Sequence, residues 1–159
     1  MMRALGLDAS KAATGWAVFS ADGLVASGVL RCSVKRSQGV SGIESAYSGA
    51  VSEWYRTQVR ALLLHWAITH VAIEEPLTSH AAAAGNNDAI HLSHTVFSAA
   101  AGACVSLNVP NWPVNQSTWR KDMGVQWPKR GAKDRTKHFK AEAMRICDWA
   151  TYGPASRSS

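Results

Sequence analysis

Two carboxylates stand at the ends of short apolar runs and are the residues best placed for chemistry. Asp8 closes the run LGLD, and Glu74 closes the run VAIE. Neighbouring carboxylates repel one another, so both ionise comfortably only when a cation is shared between them. A hard divalent ion, Mg²⁺ or Mn²⁺, suits such oxygen ligands and can activate water against a phosphodiester. The competing interpretation of Asp8 is a turn-forming residue, which its local sequence favours equally.

Strand periodicity decides which acidic residues face each other. Side chains alternate faces along a strand, so Asp8 lies opposite to the leucines of its own run. In the later run, Val71 and Ile73 share one face and Glu74 takes the other. If the two strands are parallel neighbours with matching apolar faces, Asp8 and Glu74 fall side by side, and Glu75 points away. Such a pair would lie at the carboxyl ends of strands, where open α/β sheets bind ligands.

The rest of the pattern predicts an α/β domain. The opening stretch reads as an antiparallel meander of three strands, with a hairpin turn at Asp22 and Gly23. A long amphipathic helix follows, then the strand that ends at Glu74, a second helix over residues 87–107 and a short edge strand. The predicted strands after the first are 16–19, 24–30, 71–74 and 109–114, and the stripe of the first helix comprises Ile43, Tyr47, Val51, Trp54, Val59, Leu62, Leu63 and Trp66.

Composition fits one cytosolic domain. The 159 residues predict a domain over 1–150 and a polar tail over 151–159. No apolar run reaches the roughly 18 residues of a membrane span, and the start turns polar too early for a signal peptide. Cys32, Cys104 and Cys147 are odd in number and lack a CxxC pair, which predicts small core residues rather than disulfides or a zinc site.

Positive charge is concentrated late in the chain. The net charge is +6, and only Asp122, Asp134 and Glu142 oppose the basic residues of the segment 120–145. This distribution predicts a polyanionic partner, most economically nucleic acid, while a solvated basic helix is the alternative. The basic residues that we expect to bind DNA are Arg120, Lys121, Lys129, Arg130, Lys133, Arg135 and Lys137, and Lys11 beside Asp8 is a further candidate.

Tryptophan and histidine side chains admit two interpretations each. Trp112, Trp119 and Trp127 are interspersed with basic residues, which suits stacking on unpaired bases, but core anchoring explains Trp119 equally well and is favoured for two of the three. His91 and His94 share one helical face, yet no third ligand lies at a diagnostic spacing, so surface or interface histidines are favoured over a metal site.

An ordered set of segments resembles the RuvC family of Holliday-junction resolvases. The segments are LGLDASKAATGWAVF, VASGVLR, VAIEEP, the Ala-rich helix, WRKDMG and GAKDRTKHF, spanning about Ala4 to Cys147. The resemblance implies a ribonuclease-H-like fold, a five-stranded mixed sheet flanked by helices on both faces, with the first and fourth strands adjacent and parallel. It also implies a cytoplasmic homodimer, in a bacterial or phage-infected cell, that nicks four-way DNA junctions with Mg²⁺ or Mn²⁺.

Carried over by position, the resemblance makes Asp8 and Glu74 the first two metal-binding carboxylates. Leu77 falls where the family places an apolar residue against the junction bases, and Lys121 or Arg120, with Lys133, falls near its DNA-backbone lysines. The family has two further acidic residues on a last helix, whereas no acid follows Asp148 here. This departure predicts either a truncated nuclease or a protein that binds branched DNA without cutting it.

One other class of enzyme shares the opening pattern. Phosphotransferases of the actin and sugar-kinase type also begin with a strand, an Asp and a turn that contains Gly and Thr. That family needs two such domains to enclose ATP, and this chain has room for one. The sequence therefore favours a metal-dependent, structure-selective endodeoxyribonuclease.

Overall fold

The computed structural model describes residues 2–10, 13–36, 43–76 and 87–115. Within these ranges the chain forms a sheet and two helices. The strands are β1 (Ala4–Asp8), β2 (Thr14–Ser20), β3 (Gly23–Leu30), β4 (His70–Glu74) and β5 (Asn111–Val114), and the helices are α1 (Ile43–His65) and α2 (Asn87–Ser106).

The strands form one mixed sheet in the order β3-β2-β1-β4-β5. β2 pairs antiparallel with both β1 and β3, whereas β4 lies parallel to β1 and β5 lies parallel to β4. The predicted fold, three antiparallel strands followed by two parallel ones, is therefore confirmed. The adjacency of the first and fourth strands is confirmed as well.

Both described helices pack on one face of this sheet. A single buried cluster joins Leu5, Leu7, Val18, Val71 and Ile73 of the sheet to the helices. From α1 it takes Tyr47, Val51, Tyr55, Val59 and Leu63, and from α2 it takes Leu92, Val96, Ala99, Ala100, Ala103 and Cys104. The small side chains of α2 allow it to lie close to its neighbours. The helix expected over residues 133–149, and with it the second face, falls outside the described residues.

The cysteine prediction holds where the structure describes these residues. Cys104 is fully buried, and Cys32 is half-buried against the core cluster. Burial raises the pKa of the Cys104 thiol to about 11. A thiol with so high a pKa is almost entirely protonated at neutral pH, so it acts as a small apolar side chain.

The register between β1 and β4 is anchored where the two strands begin. The Thr69 hydroxyl donates to the carbonyl oxygen of Arg3 at 3.0 Å and accepts from the Arg3 N–H at 3.1 Å. The Arg3 guanidinium also donates to the carbonyl oxygen of Trp66 at 2.9 Å, just beyond the end of α1. These bonds tie the chain before β1 to the connection that leads into β4.

Each helix ends in a left-handed residue that turns the chain into the following strand. After α1, Ala67 has a φ of 48°, and the Ile68 N–H donates to the carbonyl of Leu63 at 3.0 Å. After α2, Asn108 has a φ of 53°, and the Val109 N–H donates to Cys104 at 3.0 Å. This is the Schellman arrangement. Because it uses the Val109 N–H, β5 begins at Asn111, two residues later than predicted.

Replacing Ala67 by Gly tests the strain at the end of α1. An L-residue in the left-handed region is disfavoured by about 1 kcal/mol relative to Gly, so we expect Ala67→Gly to raise the free energy of unfolding by about that amount. Urea denaturation measures this change. Ala61→Gly, at an exposed position inside the same helix, should lower it by about 1 kcal/mol. Destabilisation by both substitutions would contradict the assigned helix end.

Candidate metal centre

Asp8 and Glu74 end two adjacent parallel strands. Along β1 and β4, Leu5 pairs with Val71 and Leu7 with Ile73, and these four side chains are buried in the core cluster. Asp8 and Glu74 are the next residues on their strands. Because side chains alternate, both carboxylates leave the same edge of the sheet on the face opposite to α1 and α2. Asp8 is exposed and Glu74 is half-buried.

Glu75 has a different environment. Its N–H donates to the carbonyl oxygen of Val114 at 3.0 Å, and its carboxylate accepts from the Asn115 side-chain amide at 3.3 Å. Glu75 is therefore joined to the end of β5. The strand parity that favoured Glu74 over Glu75 as the partner of Asp8 is present in the structure.

Small residues surround Asp8 on its face of the sheet. Gly15 is its partner on β2, and a Cβ added to Gly15 would lie 3.7 Å from the Asp8 Cβ. In the adjacent row, Gly6 pairs with Ala17 on one side and with Ala72 on the other. None of these residues carries a long side chain, so among the described residues the sheet face beside the carboxylates leaves room for a hydrated ion.

Two buried hydroxyl groups hold the backbone just after Asp8. The Thr14 hydroxyl donates to the carbonyl oxygen of Ser10 at 2.8 Å, and the Tyr55 hydroxyl donates to the same oxygen at 3.1 Å. Thr14 is 1% exposed and Tyr55 is fully buried. Burial raises the pKa of Tyr55 above its ordinary value, and the neighbouring Thr14 side chain offsets part of this rise. Tyr55 thus remains a neutral donor at physiological pH.

Tyr55 was missed by the sequence-based helix stripe. The predicted stripe named its neighbour Trp54, which is only half-buried. A spacing of four from Val51 and to Val59 places Tyr55 on the buried line of α1 and was the available signal. The pattern contained nothing that linked its hydroxyl to the turn after β1.

The chemistry of this site fits a divalent ion in part. Mg²⁺ is commonly held by one or two carboxylates together with waters and substrate phosphates, and Asp8 and Glu74 would supply such a pair. Within the described ranges, no group of three or more His, Cys, Asp or Glu side chains lies close enough to hold a metal. Further acidic ligands would therefore come from elsewhere, or from the substrate.

The histidines of α2 lie in a different place from the carboxylates. His91 and His94 are exposed and line a groove of about 340 Å³ between α1 and α2. The Ser48 hydroxyl lies 3.4 Å from His91 Nε2 and 3.1 Å from the Thr95 hydroxyl. Both histidines are surface residues, as the favoured interpretation expected.

Of the three tryptophans that lie among basic residues in the sequence, Trp112, Trp119 and Trp127, the described ranges include Trp112. It is 45% exposed on β5, and its ring meets the His70 ring edge-on, with centroids 5.9 Å apart. Core anchoring therefore does not describe Trp112. The other predicted DNA-binding residues lie outside the described residues, namely Lys11, Leu77, Trp119, Arg120, Lys121, Lys129, Arg130, Lys133, Arg135 and Lys137.

Two solved structures of a RuvC protein are similar to this chain. Thermus thermophilus RuvC matches with a TM-score of 0.62 and 16% identity, over 92% of this chain and 80% of its own. The same protein in complex with a Holliday junction substrate matches with a TM-score of 0.58 and 15% identity, over 85% and 73%. The chain has a RuvC-like fold. At these identities the likeness concerns the fold alone.

Two comparisons of the sequence with known proteins found no match. No protein-family model matches the sequence, and no curated protein matches it significantly. The yeast mitochondrial Holliday junction resolvase matches with a TM-score of 0.47 and 9% identity, over 96% of this chain and 72% of its own, which is too weak to add to the comparison. Neither described helix of the RuvC-like domain is long and apolar enough to cross a membrane.

Metal binding tests whether Glu74, rather than Glu75, is the metal ligand beside Asp8. In the absence of DNA, we expect Glu74→Gln to weaken Mn²⁺ binding at least about 10-fold, because it removes one carboxylate of the pair. Glu75→Gln should leave the affinity unchanged, since Glu75 is joined to Asn115. Isothermal titration calorimetry gives both values. Equal losses in the two variants would refute the parity assignment.

Proposed function

We propose that this chain is a divalent-metal-dependent endonuclease that cleaves phosphodiesters in branched DNA. The observation that carries the proposal is the placement of Asp8 and Glu74 at the ends of two adjacent parallel strands. Small residues line the sheet face beside them, so the described strands leave space there for a phosphate. The RuvC-like fold supports the choice of substrate, because one RuvC neighbour was solved with a Holliday junction.

Asp8 and Glu74 would hold Mg²⁺ or Mn²⁺ through carboxylate oxygens. When bound, such an ion supplies activation of water and stabilisation of the leaving oxygen. The two carboxylates would orient the ion, and the lack of side chains at Gly15 and Gly6 would let a phosphate approach it. Half-burial of Glu74 limits the water around its own carboxylate, which strengthens the electrostatic interactions of that group.

The basic segment 120–145 would bind the DNA backbone. This segment contains nine Lys and Arg residues but only three acidic ones, so phosphate contacts would supply much of the affinity. Selectivity would come from the branched shape rather than from base edges. We further propose that the protein acts as a cytoplasmic homodimer, because symmetric nicking of a junction needs two sites.

A binding protein that does not cut is the second candidate. It is favoured by the finding that the described residues bring together two carboxylates without a third acidic group. Such a protein would bind four-way junctions tightly in the presence of Mg²⁺ and leave all four strands intact. Cleavage assays with the wild-type protein distinguish it from a nuclease.

Asp8→Asn should separate cutting from binding. On a labelled four-way junction with Mg²⁺ or Mn²⁺, we expect nicking to fall at least about 100-fold, because loss of a ligand exceeds the usual effect of its supporting residues. Junction affinity should stay close to that of the wild type. Asp22→Asn, in the exposed β2–β3 turn, is the matched control and should cut normally. Equal loss of cutting and binding in Asp8→Asn would refute the metal role.

Salt dependence tests the basic segment. Lys133→Ala should weaken junction binding and reduce the slope of log affinity against log salt by about one unit, because one phosphate contact is lost. Lys35→Ala removes an exposed lysine outside this segment and should leave the slope unchanged. Electrophoretic mobility shifts at several salt concentrations measure both. An unchanged slope for Lys133→Ala would remove that residue from the proposed interface.

A further inference from the structure

The carbonyl oxygen of Ser10 is the meeting point of two buried hydroxyl groups. It belongs to the turn that follows β1, two residues after Asp8. Thr14, on the returning strand, donates to it at 2.8 Å, and Tyr55, on α1, donates at 3.1 Å. A carbonyl with two protein donors in fixed positions is held more strongly than one that is bonded to exchanging water.

Tight packing around Thr14 and Tyr55 restricts the movement of both side chains. Thr14 is 1% exposed, and Tyr55 is fully buried in the core cluster between the sheet and the helices. Ala9, between Asp8 and Ser10, also belongs to this cluster. The backbone after Asp8 is therefore fixed by one buried methyl group and two hydrogen bonds.

This constraint bears directly on the direction of the Asp8 side chain. Asp8 is the last residue of β1, so sheet pairing orders the backbone before it but not the backbone after it. Its side chain is exposed, and its neighbour at the end of β4 is another carboxylate, which repels it. A fixed backbone just after Asp8 restricts the directions that its side chain can take.

We propose that Tyr55 and Thr14 are positioning residues for the metal centre. By holding the Ser10 carbonyl, they fix the backbone after Asp8 and keep its carboxylate directed towards the side of Glu74. This inference rests on the proposed metal site of Asp8 and Glu74. The buried side of α1 then has a second role. Tyr55, which lies 45 positions after Ser10 in the sequence, affects the affinity for the ion.

Metal titration without DNA tests the proposal. We expect Tyr55→Phe, which removes only the hydroxyl, to weaken Mn²⁺ binding about 10-fold, the usual effect of losing a group that orients a ligand. Thr14→Val should act in the same direction, and Thr14→Ser, which keeps the hydroxyl, should restore wild-type affinity. Because both hydroxyls act on one carbonyl, the double variant Tyr55→Phe/Thr14→Val should lose less affinity than the product of the two single losses.

A control variant separates positioning from general destabilisation. Val59→Ala removes buried methyl groups one turn further along α1 and should lower the melting temperature. Measured well below its melting transition, it should bind Mn²⁺ as the wild type does. In nicking assays, Tyr55→Phe should need more Mg²⁺ for half-maximal rate yet reach the wild-type rate at saturation.

The possible outcomes distinguish two failures. If the wild type binds Mn²⁺, Asp8→Asn does not, and Tyr55→Phe binds as tightly as the wild type, the positioning role is overturned and the metal site stands. If Val59→Ala and Tyr55→Phe weaken binding equally, the effect is one of stability and the inference is again wrong. If the wild type binds no Mn²⁺, the metal site itself is refuted, and the inference falls with it.

Discussion

The parallel pairing of β1 with β4 is the constraint on which the rest of the structure depends. Leu5, Leu7, Val71 and Ile73 are buried as two adjacent pairs, and fully burying one such side chain is worth about 1.5–3 kcal/mol. A slip of one residue would turn these side chains to the opposite face and carry acidic residues into the core. The apolar core therefore enforces the position of the carboxylates.

The placement of Asp8 and Glu74 was predictable because it follows from local alternation. The apolar residues that flank each carboxylate identify the buried face, and parity then assigns the other face without knowledge of any distant contact. The order of the strands was not deducible in this way. It came from the resemblance of ordered segments, because nothing within a strand states which other strand lies beside it.

Features that join distant parts of the chain escaped prediction. Tyr55 meets the carbonyl of Ser10 through a hydroxyl group, and a helical pattern records only that such a residue is buried. Likewise, the indole of Trp16 lies so near Gly28 that an added Cβ would come within 2.6 Å of the ring. From the sequence alone, Gly28 is only a residue that disfavours a strand. The pairing of β2 with β3 explains why a glycine is needed there, because Trp16 lies opposite.

The left-handed turns after the two helices determine at which residue each following parallel strand begins, and therefore which of its side chains face the core. Ala67 stands three residues before His70, where β4 starts, and the Thr69 bonds to Arg3 fix this short connection. If one residue were deleted there and the alternation of β4 shifted with it, Glu75 would replace Glu74 beside Asp8. Natural length variation is therefore expected in the hairpin between β2 and β3 and not between α1 and β4. The connection between α1 and β4 therefore determines which residues of β4 face the core.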